Sequence, residues 1–401
     1  MSKHDDKAAK DVERLPAETA KKLNAYATVA LVVGLAGAGA GFAVDAKAFP
    51  SSYLVAFMWL TTIGLGALFF VLIQHVVRAG WSVAPRRHAE WLMSVLLAVP
   101  VLFAGVAAFA PTLYSHWMGE HAHHDPVVMA KAAYLNPTFF YVRAAIYFVI
   151  WAGLTVWFNK GSAVLDEKRD DVVIEKMQSY SAPSLYLFGF SLTFAAFDWV
   201  MSLDPHWYST IYGVYIFAGS AVSALSVLAL INIRLQGAGL LNRVSTIEHR
   251  HDIGKLLFGF IVFFAYIGFS QFFLIWYANI PEETIFYKER WHGSWQTISM
   301  LILFGHFVVP FIVLLSRHAK RNPMVLGASA VWMLFMHWID IYWLVKPYFG
   351  DHDVHFGVAD IGCLLFVIGV GAFIVARRAT TSPLFPLHDP RVPEAMRVEN
   401  L

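Results

Sequence analysis

Ten stretches of the chain are almost wholly apolar, at about 24–44, 53–77, 89–110, 139–158, 182–203, 211–233, 256–278, 295–315, 324–345 and 356–376. Each is about 20 residues long, the length at which an α-helix crosses the hydrocarbon of a bilayer. The polar gaps between them alternate in charge. The five odd-numbered gaps hold five Lys and Arg residues in all, namely Lys47, Lys131, Lys288, Arg290 and Lys346. The tails and the even-numbered gaps hold 24, and Arg143 alone sits inside a stretch. Loops rich in Lys and Arg stay in the cytoplasm. The pattern predicts an all-α integral membrane protein of ten transmembrane helices with both termini cytoplasmic. It divides the chain into an N-terminal tail at 1–23, a transmembrane domain at 24–376 and a C-terminal tail at 377–401.

Composition narrows the class. Of 401 residues 58% are apolar and 14% charged, against about 25% charged in soluble domains. The gaps are too short for a soluble domain, and the net charge of +2 gives no reason to expect nucleic acid as a partner. The single cysteine, Cys363, lies in the last stretch and reads as a small packing residue. One cysteine cannot ligate an iron–sulfur cluster or form the paired-cysteine attachment of a c-type haem. No glycine-rich nucleotide loop is present. Residues 1–23 are charged and lead directly into the first stretch, which reads as a tail and not as a cleavable signal.

The outward gaps carry the unusual residues. Gap three, 111–138, holds Trp117, Glu120, His121, His123 and His124, with His116 and Asp125 beside them. Gap five is only Asp204-Pro205-His206-Trp207-Tyr208-Ser209-Thr210 and makes stretches five and six a hairpin. Gap seven mixes Glu282, Glu283, Lys288, Glu289 and Arg290 with Tyr287 and Trp291, and such aromatics favour the membrane–water interface. The gaps at 159–181 and 234–255 read as solvated loops. Pro383, Pro386, Pro390 and Pro393 predict a C-terminal tail extended along a surface. A faint repeat relates stretches five and nine. Asp198 and Asp340 each lie in the outer third, and each is followed seven residues later by proline. This predicts two parallel four-helix bundles, helices two to five and six to nine, with helices one and ten added.

An ionisable group in hydrocarbon costs about 2.5–3.5 kcal/mol on insertion scales and is a functional candidate for that reason. Arg143, Asp198, His306, His337, Asp340 and Asp360 qualify, and Gln271 adds a neutral polar group. His306 and His337 fall near mid-membrane and the rest in the outer half. Two readings compete. In the first, the acids gather round Arg143 in a polar pocket or proton path open to the outside. In the second, Arg143 pairs with Asp198 alone and the others accept hydrogen bonds from neighbouring helices. His306 and His337 could also face one another as haem ligands, and His116, His121, His123, His124 and Asp125 could hold zinc. The 16% of aromatic residues fits a quinone-binding membrane protein, although plain packing is the commoner reason for such residues.

Two strings are more specific. Phe197-Asp198-Trp199-Val200-Met201-Ser202-Leu203-Asp204-Pro205-His206-Trp207-Tyr208-Ser209-Thr210-Ile211-Tyr212-Gly213-Val214-Tyr215 resembles the membrane subunits of the bacterial quinol:cytochrome c oxidoreductase called alternative complex III. So does Gln271-Phe272-Phe273-Leu274-Ile275-Trp276-Tyr277-Ala278-Asn279-Ile280-Pro281-Glu282-Glu283-Thr284. The resemblance is to the F type (ActF), related to NrfD/PsrC-type subunits. It implies a bacterial inner (cytoplasmic) membrane protein beside a homologous ten-helix subunit (ActC-like). It also implies haem c and iron–sulfur clusters on periplasmic partner subunits, and menaquinol oxidised nearby. A proton-conducting or coupling role is implied less directly. Only Asp198, Asp204, His206, Gln271, Glu282 and Glu283 carry over from the matched strings.

The sequence thus leads to a non-redox subunit that binds no cofactor or metal itself, sits in membrane lipid, scaffolds a respiratory membrane arm and supplies a proton path. Arg143, Asp198, His337, Asp340, His306 and Asp360 are the path candidates. Asp204, His206, Gln271, Glu282 and Glu283 form its outer mouth or a quinone or partner contact. The rivals are a chain that oxidises quinol itself, with Asp198 or His206 taking the proton, a secondary transporter, and a purely structural anchor. The transporter expectation is set aside because no pair of helices shows Gly or Pro interruptions at corresponding midpoints.

Overall fold

The computed structural model describes residues 12–350 and 353–399, apart from the side chain of His121. Lys3, Lys7 and Lys10 of the N-terminal tail lie outside the described residues. Ten helices among the described residues are long and apolar enough to cross a membrane. They are α1 (Ala17–Val44), α2 (Phe49–Val76), α3 (Val83–Ala108), α4 (Pro137–Glu167), α5 (Asp171–Leu203), α6 (Tyr212–Gly237), α7 (Ile247–Ala278), α8 (Trp295–Leu315), α9 (Pro323–Tyr348) and α10 (Val358–Thr381). The helix ends flanked by the Lys- and Arg-rich gaps form one face of the molecule, the basic face. The odd-numbered gaps form the far face.

The structure departs from the sequence reading at the basic face. The gaps at 159–181 and 234–255 are largely helix. α4 runs on to Glu167, α5 begins at Asp171, and α7 begins at Ile247. Hydropathy finds only the part of a helix that needs to be apolar, whereas backbone hydrogen bonding continues until a cap ends it. Asp170 and Thr246 supply those caps through side-chain oxygens that accept from Val173 and Glu248 N–H groups,.

α3 and α8 are interrupted in mid-span, which corrects the expectation that no pair of helices carries Gly or Pro interruptions at corresponding midpoints. α3 tightens into a 3-10 turn at Ser94–Leu97 just before Pro100. α8 widens into a π turn at Ile302–Val308 just before Pro310. Proline lacks the N–H that would bond four residues back and its ring crowds that carbonyl, so the preceding turn must change register. Pro310 stands four residues after His306. The indole of Trp332 donates to the Gly305 carbonyl at 2.7 Å.

α2 and α6 are the most enclosed helices and cross each other closely. At Gly66 any Cβ would lie 2.0 Å from the Ser220 carbonyl oxygen. α2 packs on α3 and α5, and α4 bridges α3 and α5. α6 packs on α7 and α9, and α8 bridges α7 and α9. α1 is the least enclosed and packs chiefly on α10. That pair runs antiparallel through small residues, with Gly34 against Leu365, Gly37 against Gly362 and Gly41 against Ala359. Small residues let membrane helices approach closely. A Cβ on Gly362 would lie 2.1 Å from the Gly37 carbonyl oxygen. Replacing Gly362 with Leu is expected to destabilise the α1–α10 pair by about 1–3 kcal/mol, as overpacking does, read as a lower thermal midpoint of the detergent-solubilised protein.

The far-face connections are short helices, including Ser115–Met118, Pro126–Ala130 and Pro281–Glu289. On the basic face the proline-rich tail lies on the surface as expected, and it also packs into it. Leu384, Phe385 and Ala395 are buried against Val83, Ala84, Trp91, Leu240 and Leu241. The Leu384 N–H bonds the Glu13 carbonyl at 2.8 Å, so the two tails lie side by side. Cys363 is buried in α10.

Candidate functional site

α4 carries its buried polar residues at 143, 147, 151, 155, 159 and 162. Steps of four and three keep them on one helical face, and at 1.5 Å per residue they span about 28 Å. At the far-face end the Arg143 guanidinium grips Asp198 of α5 with two parallel bonds, Nε to Oδ2 at 2.7 Å and Nη2 to Oδ1 at 2.9 Å. Its Nη1 donates to the Tyr134 carbonyl at 2.9 Å. The Tyr147 hydroxyl donates to Asp198 Oδ2 at 2.6 Å. The rings of Tyr134 and Phe139 cover the guanidinium at 3.8 and 4.3 Å. Asp198 is wholly buried, so a bidentate, charge-assisted pair is what makes its burial tolerable.

Below this pair the column continues with neutral groups. The Trp151 indole donates to Ser191 Oγ at 2.9 Å. Thr155 is buried, and its hydroxyl has no hydrogen-bond partner among the described residues. Asn159 Nδ2 donates to Ser94 Oγ at 3.2 Å. Ser162 Oγ donates to Glu90 Oε2 at 2.6 Å.

The column ends at the basic face in a second buried charge cluster. Glu90 is fully buried. Arg87 Nη1 lies 3.4 Å from Glu90 Oε2, and its Nη2 pairs with Asp166 of α4. Arg86 Nε lies 3.9 Å from Glu90 Oε1, and its Nη2 meets Asp389 of the C-terminal tail at 2.5 Å. Sequence reasoning missed this cluster because Arg86 and Arg87 were counted as loop charges setting topology. The available signal was Glu90 itself, an acid at the edge of an apolar stretch, four and three residues after two arginines.

The remaining acids do not join Arg143, and the expectation of several acids around one cation is corrected. They lie on different helix pairs, and each has its own partner. Asp340 of α9 accepts from the Tyr215 hydroxyl of α6. Asp360 of α10 pairs with Lys346 at 2.8 Å, with Ser52 of α2 bonded to both. His337 Nε2 and Thr62 Oγ1 of α2 are 2.8 Å apart, a hydrogen bond between the two halves of the chain. His306 lies in the π turn, stacked on Phe264 at 3.9 Å, with neither ring nitrogen hydrogen-bonded. On α6, Ser220, Ser223 and Ser226 are fully buried in a row that leads toward Asn232, which is bonded to Ser245 at 2.6 Å.

The far-face candidates form two groups. His206 Nε2 lies 2.7 Å from Asp125 Oδ2 and Nδ1 3.5 Å from Asp204 Oδ1. Desolvation acts upward on the Asp125 carboxyl, but the Val128 and Val127 N–H groups and His206 outweigh it and hold the carboxyl below its ordinary value,. Gln271 accepts from Ser209 Oγ at 2.9 Å and donates to the Tyr287 hydroxyl at 3.1 Å. Burial pushes that hydroxyl up to about 12, against the opposing effects of Gln271 and Arg290. Glu282 and Glu283 stand in the first turn of Pro281–Glu289, where a helix N-terminus favours acids,. The two segments 197–215 and 271–284 interlock there. The Trp207 indole donates to the Glu283 carbonyl at 3.1 Å, and its ring stacks on Phe286 at 4.1 Å. A cavity of about 400 Å³ opens beside Asp204, Tyr134 and Ser202, and a second of about 830 Å³ lies between α7 and α8.

His116, His123 and His124 do not converge. Among the described residues no three His, Cys, Asp or Glu side chains are grouped to hold a metal ion. Compared with known proteins, the chain matches no family model and no curated relative.

Proposed function

We propose that this ten-helix protein is a non-redox membrane subunit of a respiratory menaquinol:cytochrome c oxidoreductase of the alternative complex III kind, and that it carries a proton path. The positive-inside rule turns its basic face to the bacterial cytoplasm and its far face to the periplasm. The two strings that carry the resemblance are some 60 residues apart yet interlock through Trp207, Glu283, Ser209 and Gln271. That supports a single recognition surface for periplasmic iron–sulfur and haem c subunits, with a homologous ten-helix subunit alongside in the membrane. The paired packing of α2–α5 and of α6–α9 supports the two-bundle reading.

The observation that carries the proton path is the α4 column. Buried carboxylates stand at both ends, Asp198 and Glu90, and hydroxyl and amide groups lie between them. Carboxylates in series mark proton relays in membrane proteins, and water would have to bridge the break at Thr155. The Asp125–His206–Asp204 group continues the polar surface at the far face. The experiment is extraction of the tagged chain from its own membranes in mild detergent, followed by a reduced-minus-oxidised spectrum. A c-type haem signal with large partner subunits is expected. In that complex, reconstituted into vesicles, Glu90→Gln should lower the protons moved per quinol oxidised while leaving quinol oxidation running under uncoupled conditions.

One observation favours a second reading, a secondary transporter. α3 and α8 occupy the same place in the halves α1–α5 and α6–α10, run in opposite directions, and are both interrupted before a proline. Interrupted helices at corresponding positions mark transporter sites. A colourless chain that purifies alone would overturn the respiratory reading and leave this one.

A further inference from the structure

The larger cavity, about 830 Å³, opens between α7 and α8 in the far-face half of the membrane. Its walls at hydrocarbon depth include Phe264, Phe272, Ile302 and Phe307. Phe269 and Leu303, which also line it, are exposed on the apolar flank of the bundle. The cavity therefore opens sideways toward lipid.

Its far-face end has a different character. Lys288, Arg290 and Trp291 line it there, and no Asp or Glu stands among its described lining residues. Arg290 is fully buried, and its guanidinium donates to the main-chain carbonyls of Trp343, Phe286 and Leu344 at 3.1, 2.9 and 3.1 Å. Lys288 is exposed at the rim, and Trp291 sits beside it at the depth that indoles favour,. An apolar slot with two cations at its interfacial end matches an amphiphile with an anionic headgroup. A zwitterionic headgroup would gain less from those charges, because its own cation offsets its phosphate.

We propose that this cavity binds an anionic phospholipid of the far-face leaflet. One acyl chain lies between α7 and α8, and the phosphodiester meets Lys288 within the field of Arg290. The chain's methylenes leave no polar group to satisfy, and the phosphate stays at headgroup level, so the ligand enters from the bilayer without crossing it.

The test is native mass spectrometry of the delipidated full chain, offered equal amounts of phosphatidylglycerol and phosphatidylcholine. Retention of phosphatidylglycerol should exceed that of phosphatidylcholine by about fivefold, the contribution of one basic residue at an anionic lipid surface. Lys288→Gln should remove the preference, and Lys288→Arg should keep it. Ala265→Phe, which fills the slot, should lower retention of both lipids. Equal retention by the native chain would overturn the proposal. So would a preference that survives Lys288→Gln, retention unaffected by Ala265→Phe, or stronger retention of a neutral isoprenoid quinone offered in the same way.

Discussion

Replacing Arg143 with Met is expected to destabilise the folded protein by about 3–5 kcal/mol, the cost of leaving a buried charge unpaired. Asp198 is wholly buried and takes two of its hydrogen bonds from this one guanidinium. With Met in place the carboxylate keeps the Tyr147 hydroxyl but has lost its compensating cation, so water must enter to solvate it. The double variant Arg143→Met, Asp198→Leu should recover most of the loss, because it removes the desolvated charge together with its partner. Unfolding in mixed micelles measures both. A single variant within about 1 kcal/mol of the native protein, the size of a surface ion pair, would mean that water already reaches Asp198. The same cycle separates structure from conduction. If the double variant is stable and the assembled complex still moves protons normally, the α4 column is only a packing device.

Truncation after Ser382 is expected to be about as severe. It removes Leu384 and Phe385, each buried, and each large apolar side chain contributes about 1.5–3 kcal/mol on burial. It also strips Asp389 from Arg86, whose remaining acidic contact is Glu90 at 3.9 Å. The expected result is a loss of about 3–6 kcal/mol from burial alone, read as a drop in the thermal midpoint of the detergent-solubilised protein. Asp389→Asn keeps the apolar anchors and isolates the ion-pair share of the loss, which is substantial because Arg86 is itself buried,. A truncated chain with an unchanged midpoint would mean that the tail is not seated in solution.

Much of the architecture was legible because the bilayer enforces it. The length of each apolar stretch and the side on which Lys and Arg collect predict ten helices, and the described residues hold ten helices of that kind. What the pattern could not show was where helices end in water, since there the backbone continues under ordinary capping by Asp170 and Thr246. The site was half legible for a related reason. Arg143 and Asp198 stood out because a charge among apolar residues is costly. Glu90, Arg86 and Arg87 carry the same cost, yet they sit beside loop charges that serve topology and look like more of the same. Asp389 was invisible in another way, since a residue in a proline-rich tail gives no sign of being folded back 300 positions onto Arg86. The partners of Asp340 and Asp360 were unreadable because Tyr215 and Lys346 are common interfacial residues.

The glycine-lined contact between α1 and α10 has a consequence for biosynthesis. The first of the ten spanning helices to leave the ribosome has as its main partner the tenth. Until α10 emerges, α1 must wait in the bilayer with its glycine face against lipid, while the intervening helices assemble. The tails that meet at Glu13 and Leu384 can join only after that. The ten-helix bundle therefore closes only once α10 has been made, and a nascent chain stalled before residue 358 lacks the helix that fastens α1.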